Sequence, residues 1–269
     1  MTDAVTAGLA ATDRATLRIG GPEARDFLQG LVSNDVRKLD AGAVYAALLS
    51  PQGKYLFDFI LLADGAEIIL DVKADRAAAL AQRLSMYRLR ARVSVAPAGL
   101  EVAVGRGPAP AGPLVVADPR APGLGWRAYV PDAAAFVAGM ARLDPAEIDA
   151  RRVALGVPET GVELVADDSY ILEMGFERLN GVDFRKGCYV GQEVTARMKH
   201  KTELRKGLAR VEVTGAAPPP GTSIEAGGKP AGTLYTTAGG EGLAYLRFDR
   251  ATGEMRAGDA TIRLPARAS

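Results

Sequence analysis

The only cysteine of the chain, Cys188, stands inside Lys186-Gly187-Cys188-Tyr189-Val190-Gly191-Gln192-Glu193. A thiol binds metals and attacks electrophiles as its thiolate, so the surroundings decide what it can do. Arg185 and Lys186 precede it, and Gly187 and Gly191 bracket it. A strand-like run, Gly181-Val182-Asp183-Phe184, leads in, and a helix-like run from Val190 to Lys199 leads out. A cysteine at a helix N-terminus beside fixed positive charge has a lowered pKa, because backbone N–H groups and cations stabilise thiolate. The two glycines imply a tight bend or a close backbone approach. The bland alternative is a buried, inert residue, since free cysteine is among the most buried types. One cysteine forms no intrachain disulfide and cannot hold a four-thiolate iron–sulfur cluster unaided.

Downstream, Arg197, Lys199, Lys201, Arg205 and Lys206 are five basic residues within ten. Such a run is commonly a solvated face; the functional reading is a handle for an anion. No aromatics are interleaved, which argues against a stacking platform for single-stranded RNA, and direct nucleic-acid binding is not expected. Glu193 and Arg197 are spaced i,i+4, as in an ordinary helix-surface pair. His200 is the sole histidine and has no Cys or His at ligand spacing, so no metal site is expected. No glycine motif of the nucleotide-binding strand–turn–helix type is present.

The octapeptide resembles K-G-C-Y-x-G-Q-E, the signature of the YgfZ-type folate-binding proteins. These are relatives of the glycine-cleavage T-protein, an aminomethyltransferase. Seven fixed positions make the match specific. Upstream, Arg151-Arg152-Val153-Ala154-Leu155-Gly156-Val157-Pro158 is similar to the family's R-x-x-x-G-I-P segment, and Ile171-Leu172-Glu173-Met174 to its P-x-E segment. Gly181 to Lys186 and Ala196-Arg197 fit too, so the close similarity covers residues 150–210.

The resemblance implies a tetrahydrofolate-binding factor that assists assembly or repair of iron–sulfur clusters in client enzymes, tRNA-modifying ones included. Its partners are then folate and iron–sulfur client or assembly proteins. It implies that Glu173 accepts hydrogen bonds from the pterin ring, although Ile171 and Leu172 replace the usual proline context. A carboxylate suits that task because it accepts two parallel bonds from an N–H and an amino group. Asp58, Tyr189, Gln192 and Arg197 are the further folate-contact candidates, and Cys188 is the reactive group. In the aminomethyltransferases an acidic pair on a strand includes the aspartate that assists transfer. Here Phe57 replaces one acid beside Asp58. If the missing acid is the catalytic one, transfer is lost and folate binding remains; if Asp58 is the equivalent, transfer remains possible. The alternatives are therefore a folate-dependent aminomethyltransferase or demethylase, and a non-catalytic scaffold. Lys54 and Tyr55 are near enough in sequence to shape the same pocket.

These residues need a frame. The chain has 269 residues, room for about two domains of ~150 residues each. With 48% hydrophobic and 24% charged residues it has the profile of a soluble globular protein. A net charge of +1 implies no bulk polyanion partner. No run reaches the ~18 apolar residues of a membrane span, and Met1-Thr2-Asp3-Ala4 does not open a secretory signal. A reducing, cytoplasmic protein is the expectation.

Pro22 opens a helix reaching Val32, with Phe27, Leu28, Leu31 and Val32 on one face. Val44 to Leu49, Tyr55 to Leu62, Ile68 to Val72 and Arg90 to Val95 read as strands, and Asp75 to Arg88 as a helix. Leu114 to Ala117 and Gly125 to Val130 read as short strands, and Pro131 to Arg142 and Asp144 to Leu155 as helices. Asp144, Pro145 and Glu147 suggest a capping box. From Gly207 to Leu264 short β-branched segments broken by glycines read as a small barrel. The fold class is α+β. The resemblance implies a T-protein-like ring of three domains, two of them ferredoxin-like and the third a C-terminal β-barrel. The expected division is residues 1–45 with 115–205, then 46–114, then 206–269.

Overall fold

The computed structural model describes residues 5–200 and 203–265. Met1 to Ala4 and Lys201, both used above, lie outside the described residues. The chain opens with β1 (Ala7–Ala10), β2 (Arg14–Gly20) and the short helix α1 (Ala24–Gln29). Strands β3 (Val44–Leu49), β4 (Tyr55–Asp64) and β5 (Glu67–Lys73) follow, then α2 (Ala74–Arg88) and β6 (Ser94–Pro97). These make an antiparallel sheet in the order β3-β4-β5-β2-β6. Its central strands are buried on both faces, so they read as near-continuous apolar runs. Leu48, Phe59 and Leu61 face the layer of α1 and α2, while Tyr45, Leu49, Tyr55 and Ile60 face the opposite core.

A second sheet contains β7 (Glu101–Arg106), β8 (Val115–Ala117) and β9 (Trp126–Val130). After α3 (Ala133–Val137), β10 (Ala141–Arg142) joins its edge, giving the order β10-β1-β7-β9-β8. The expected helix over 131–142 is therefore cut to α3. Its last residues pair instead with β1, through Ala7 with Ala141 and Gly8 with Arg142. The two sheets meet through Leu62, Ile69, Val102 and Tyr129. Beside these runs a buried ionic seam. Asp71 accepts from Arg14 Nε and from Arg127 Nη1, each at 2.7 Å, and Arg127 also reaches Asp118 at 2.8 Å. Burial opposes ionisation of Asp118, but Arg120 and Arg127 outweigh it and hold the carboxyl well below the usual carboxylate range.

The sheets divide the body differently from the expected boundaries at 45/46 and 114/115. Strand β3 crosses the first boundary, and β2 pairs with β5 from Arg14–Lys73 to Ile19–Ile68. Residues 14–97 thus form one sheet unit, and residues 7–10 with 101–142 the other. Such pairing joins distant segments and leaves no local signature.

Helix α4 (Pro145–Leu155) starts at Asp144, whose side chain accepts from Ala146 N, and ends at Gly156 in the left-handed conformation. The capping box is not completed, because Glu147 turns to Arg106 at 2.9 Å. From Gly156 to Gly191 the chain runs in turns, without a regular helix or strand. It buries Val157, Leu164, Ile171, Met174, Phe176 and Leu179 against the sheet of β3 and β4. Helix α5 (Gln192–His200) then leads into the barrel. Strands β11 (Lys206–Thr214), β12 (Thr222–Ala226), β13 (Lys229–Ala238), β14 (Glu241–Arg247), β15 (Met255–Ala257) and β16 (Ala260–Arg263) close it. The closed order is β11-β14-β13-β12-β15-β16 around Val211, Ile224, Leu234, Leu246 and Ile262. The α+β body with a C-terminal β-barrel is as expected from the sequence.

Candidate functional site

Cys188 is exposed, on a loop that precedes α5. The helix starts at Gln192 rather than Val190, so the thiol lies four residues before its first turn. No strand forms over Gly181 to Phe184; Asp183 N instead donates to Ser33 O at 3.0 Å. Ser33 Oγ donates to Gly181 O at 2.6 Å, and Asn34 Nδ2 to Asn180 O at 2.6 Å, so side chains hold this segment in place of a sheet. Lys186 turns its ammonium to backbone carbonyls. It is buried, and it donates to Gln29 O at 2.7 Å and to Val32 O. Burial lowers its pKa to about 8. Gly191 has φ +80°, and a Cβ there would lie 2.6 Å from Ser50 O, so the close approach inferred from the glycines is real. Gly187, at φ +91°, supplies the bend.

Asp58 is buried, not solvent-facing. Leu48 pairs with Phe57 and Leu49 with Tyr55, which leaves Leu56 as a bulge in β4. The bulge shifts the alternation and puts Tyr55 and Asp58 on one face. Tyr55 OH donates to Oδ1 and Tyr45 OH to Oδ2, each at 2.9 Å, and Thr160 Oγ1 also donates to Oδ1. Both carboxylate oxygens are therefore occupied from within the protein.

Glu173 lies elsewhere. Between the barrel and the body is a cleft of about 980 Å³, near the upper end of the usual size for small-molecule sites. Tyr235 and Tyr245 of β13 and β14 line one side; Tyr170, Glu173 and Met174 line the other. Lys54, Arg205 and Lys206 are its cations, and Met198 of α5 also lines it. Glu173 is half-buried, and its Oε2 accepts from Tyr245 OH at 2.6 Å. No other hydrogen bond or ion pair reaches this carboxylate among the described residues. Burial, then the Glu173 carboxylate, raise the Tyr245 pKa far above the phenol range, so Tyr245 is a donor at every physiological pH. Lys54 Nζ lies 3.8 Å from the Tyr170 ring centroid and donates to Asp168 O at 2.5 Å.

The structure thus brings only Glu173, of the six candidate residues, into this cleft. Tyr189 is buried under Lys186, whose Nζ is 4.8 Å from its ring centroid. Gln192 begins α5 and donates its backbone N–H to Tyr189 O at 3.2 Å. Arg197 pairs with Glu193 at 2.8 Å with side chains 67% and 85% exposed, an ordinary surface pair. The basic run divides: Lys199 pairs with Glu177, while Arg205 and Lys206 line the cleft. His200 is exposed, and no cluster of three or more His, Cys, Asp or Glu suited to a metal occurs among the described residues. No described helix is long and apolar enough to cross a membrane.

Residues 205–268 match the family model described as the CAF17 C-terminal beta-barrel domain. The mouse iron-sulfur cluster assembly factor IBA57, mitochondrial, is 31% identical over 90% of this chain and 78% of its own. The human protein of the same name is 32% identical over the same shares. The chain belongs to the IBA57 family. Among solved structures, the glycine cleavage system aminomethyltransferase T from Bartonella henselae superposes with a TM-score of 0.82. It covers 98% of this chain and 86% of its own, at 15% identity, and shows the fold alone. The IBA57 relatives are named as mitochondrial, and that finding overturns the expectation of a cytoplasmic protein.

In this IBA57-family chain several cleft residues escaped the sequence reading. Tyr235 and Tyr245 sit on barrel strands far along the chain, and only closure of the barrel against the body brings them to Glu173. Glu163 is fully buried at the cleft wall, where Oε1 accepts from Thr236 Oγ1 at 2.6 Å and Oε2 from Glu159 N at 2.8 Å. Thr160, which closes Asp58, carried no signal beyond being a hydroxyl residue in a turn-rich run.

Proposed function

We propose that this chain is a tetrahydrofolate-binding factor for iron–sulfur cluster assembly or repair, serving client enzymes that include tRNA-modifying ones. The cluster-assembly part rests on the IBA57 relatives. The folate part rests chiefly on Glu173, a half-buried acceptor with one oxygen engaged by Tyr245, in a tyrosine-lined cleft large enough for a folate. Such a carboxylate suits an N–H donor on a flat heterocycle, and tyrosine faces suit the ring. Lys54, Arg205 and Lys206 suit the anionic tail. Exposed Cys188 suits the role of a single thiolate ligand to a cluster whose remaining ligands belong to a partner protein. The cluster is cargo. The transferase alternative is less well supported, because Phe57 stands where the acidic pair needs a carboxylate and Asp58 is closed by three hydroxyls.

The test is complementation in cells lacking their own copy of such a factor, read as the activity of a cluster-dependent enzyme. The native chain restores activity, and Glu173→Gln and Cys188→Ser each restore it only in part. Full restoration by both variants would remove the cleft and the thiol from the function.

A further inference from the structure

We propose that Tyr245 is a positioning residue that sets which ligands the cleft accepts, making the barrel part of the recognition site. This rests on reading the cleft as the folate site. Three observations carry it. Tyr245 OH donates to Glu173 Oε2 at 2.6 Å, so that oxygen is engaged before any ligand arrives. Oε1 has no partner among the described residues, and no unsatisfied buried atom is found on Glu173, so its free acceptor capacity is open to the cleft. Leu208 N of β11 donates to the Glu173 backbone carbonyl at 2.7 Å, so the barrel holds this residue at both main chain and side chain.

Each carboxylate oxygen has two lone pairs, so Oε2 can accept from Tyr245 and still take one of two parallel N–H donors, while Oε1 takes the other. The hydroxyl of Tyr245 also fixes the rotation of the carboxylate, so its plane is set by the barrel and not by the ligand. Tyr235 on the neighbouring strand and Tyr170 also line the cleft and offer ring surface to a flat ligand. The class selected is a planar heterocycle with an N–H donor and an anionic tail. A tail alone gains nothing from Tyr245.

The experiment compares two probes on the whole protein. Tetrahydrofolate carries the ring and the tail; 4-aminobenzoylglutamate carries the tail without the pterin. Tyr245→Phe keeps the ring and removes only the hydroxyl. It weakens tetrahydrofolate binding about tenfold and leaves fragment binding within twofold of the native protein. In a Glu173→Gln background the same substitution costs less than threefold, because the two groups act as one unit. Equal losses for both probes would mean that Tyr245 only supports the cleft wall, and would overturn the proposal. Native and Tyr245→Phe proteins binding tetrahydrofolate equally would overturn it alone. A native protein that binds the fragment but gains nothing from the pterin would overturn the folate reading with it.

Discussion

Replacing Asp58 separates a structural from a catalytic carboxylate. Asp58→Ala removes the acceptor of three hydroxyls. Tyr55 OH and Thr160 Oγ1 lie 2.9 Å apart and can satisfy each other. Tyr45 OH loses its only hydrogen bond among the described residues, and its ring stays fixed by stacking on Phe176 at 4.9 Å. A buried donor left without a partner costs about 1–3 kcal/mol, and bonds to a charged acceptor are worth about 1.5–3 kcal/mol each. The desolvation cost of the buried carboxylate disappears with it and offsets part of that loss. The net is a destabilisation of about 3 kcal/mol, a midpoint lower by roughly 10 °C. Asp58→Asn still offers one acceptor oxygen and an amide that Tyr45 can accept from, so it costs about 1 kcal/mol. Thermal unfolding measures both, and tetrahydrofolate titration of the Asn variant should match the native protein. An Ala variant that melts like the native protein while losing folate would refute the reasoning and return Asp58 to the ligand.

Three further outcomes follow from the same geometry. Cys188→Ser should change stability by less than about 0.5 kcal/mol in a melting curve, because the residue is exposed, while the variant restores cluster-enzyme activity only in part. Lys186 has a folded-state pKa depressed to about 8 by burial, so the unfolded chain holds the extra proton between pH ~8 and ~10.5; across that window the native protein should gain stability relative to Lys186→Met, read by denaturant titration at several pH values. Burial works against ionisation of Glu159, but Lys73 and Arg152 hold its pKa at about 2; its stabilisation, about 3 kcal/mol, is present above pH ~4.5 and lost as pH falls toward 2, so the acid unfolding of Glu159→Gln should be flatter in that range.

What could be read from the sequence follows local rules. Helix α2 declares itself through apolar periodicity, strands β4 and β5 through near-continuous apolar runs, and α4 through Asp144 and Pro145 at its start. The barrel shows as short strands punctuated by glycines. Illegible were features set by long-range pairing. The bulge at Leu56 reverses the facing of Tyr55 relative to Asp58, and a two-residue alternation cannot reveal it. Lys186 stands two residues before Cys188 in sequence, yet its side chain turns inward to the carbonyls of Gln29 and Val32. Glu173 was legible only through the resemblance, since nothing local distinguishes it from Glu177; its partner Tyr245 depends on how the barrel docks.

The central claim is that Glu173 reads a reduced pterin. Calorimetric titration of tetrahydrofolate into the native chain and into Glu173→Gln tests it most directly. Loss of a charge-assisted acceptor costs about 1.5–3 kcal/mol, so the Gln variant should bind about 10- to 150-fold more weakly with its melting temperature preserved. Unchanged affinity in Glu173→Gln, or no binding by the native chain at millimolar ligand, would contradict the account.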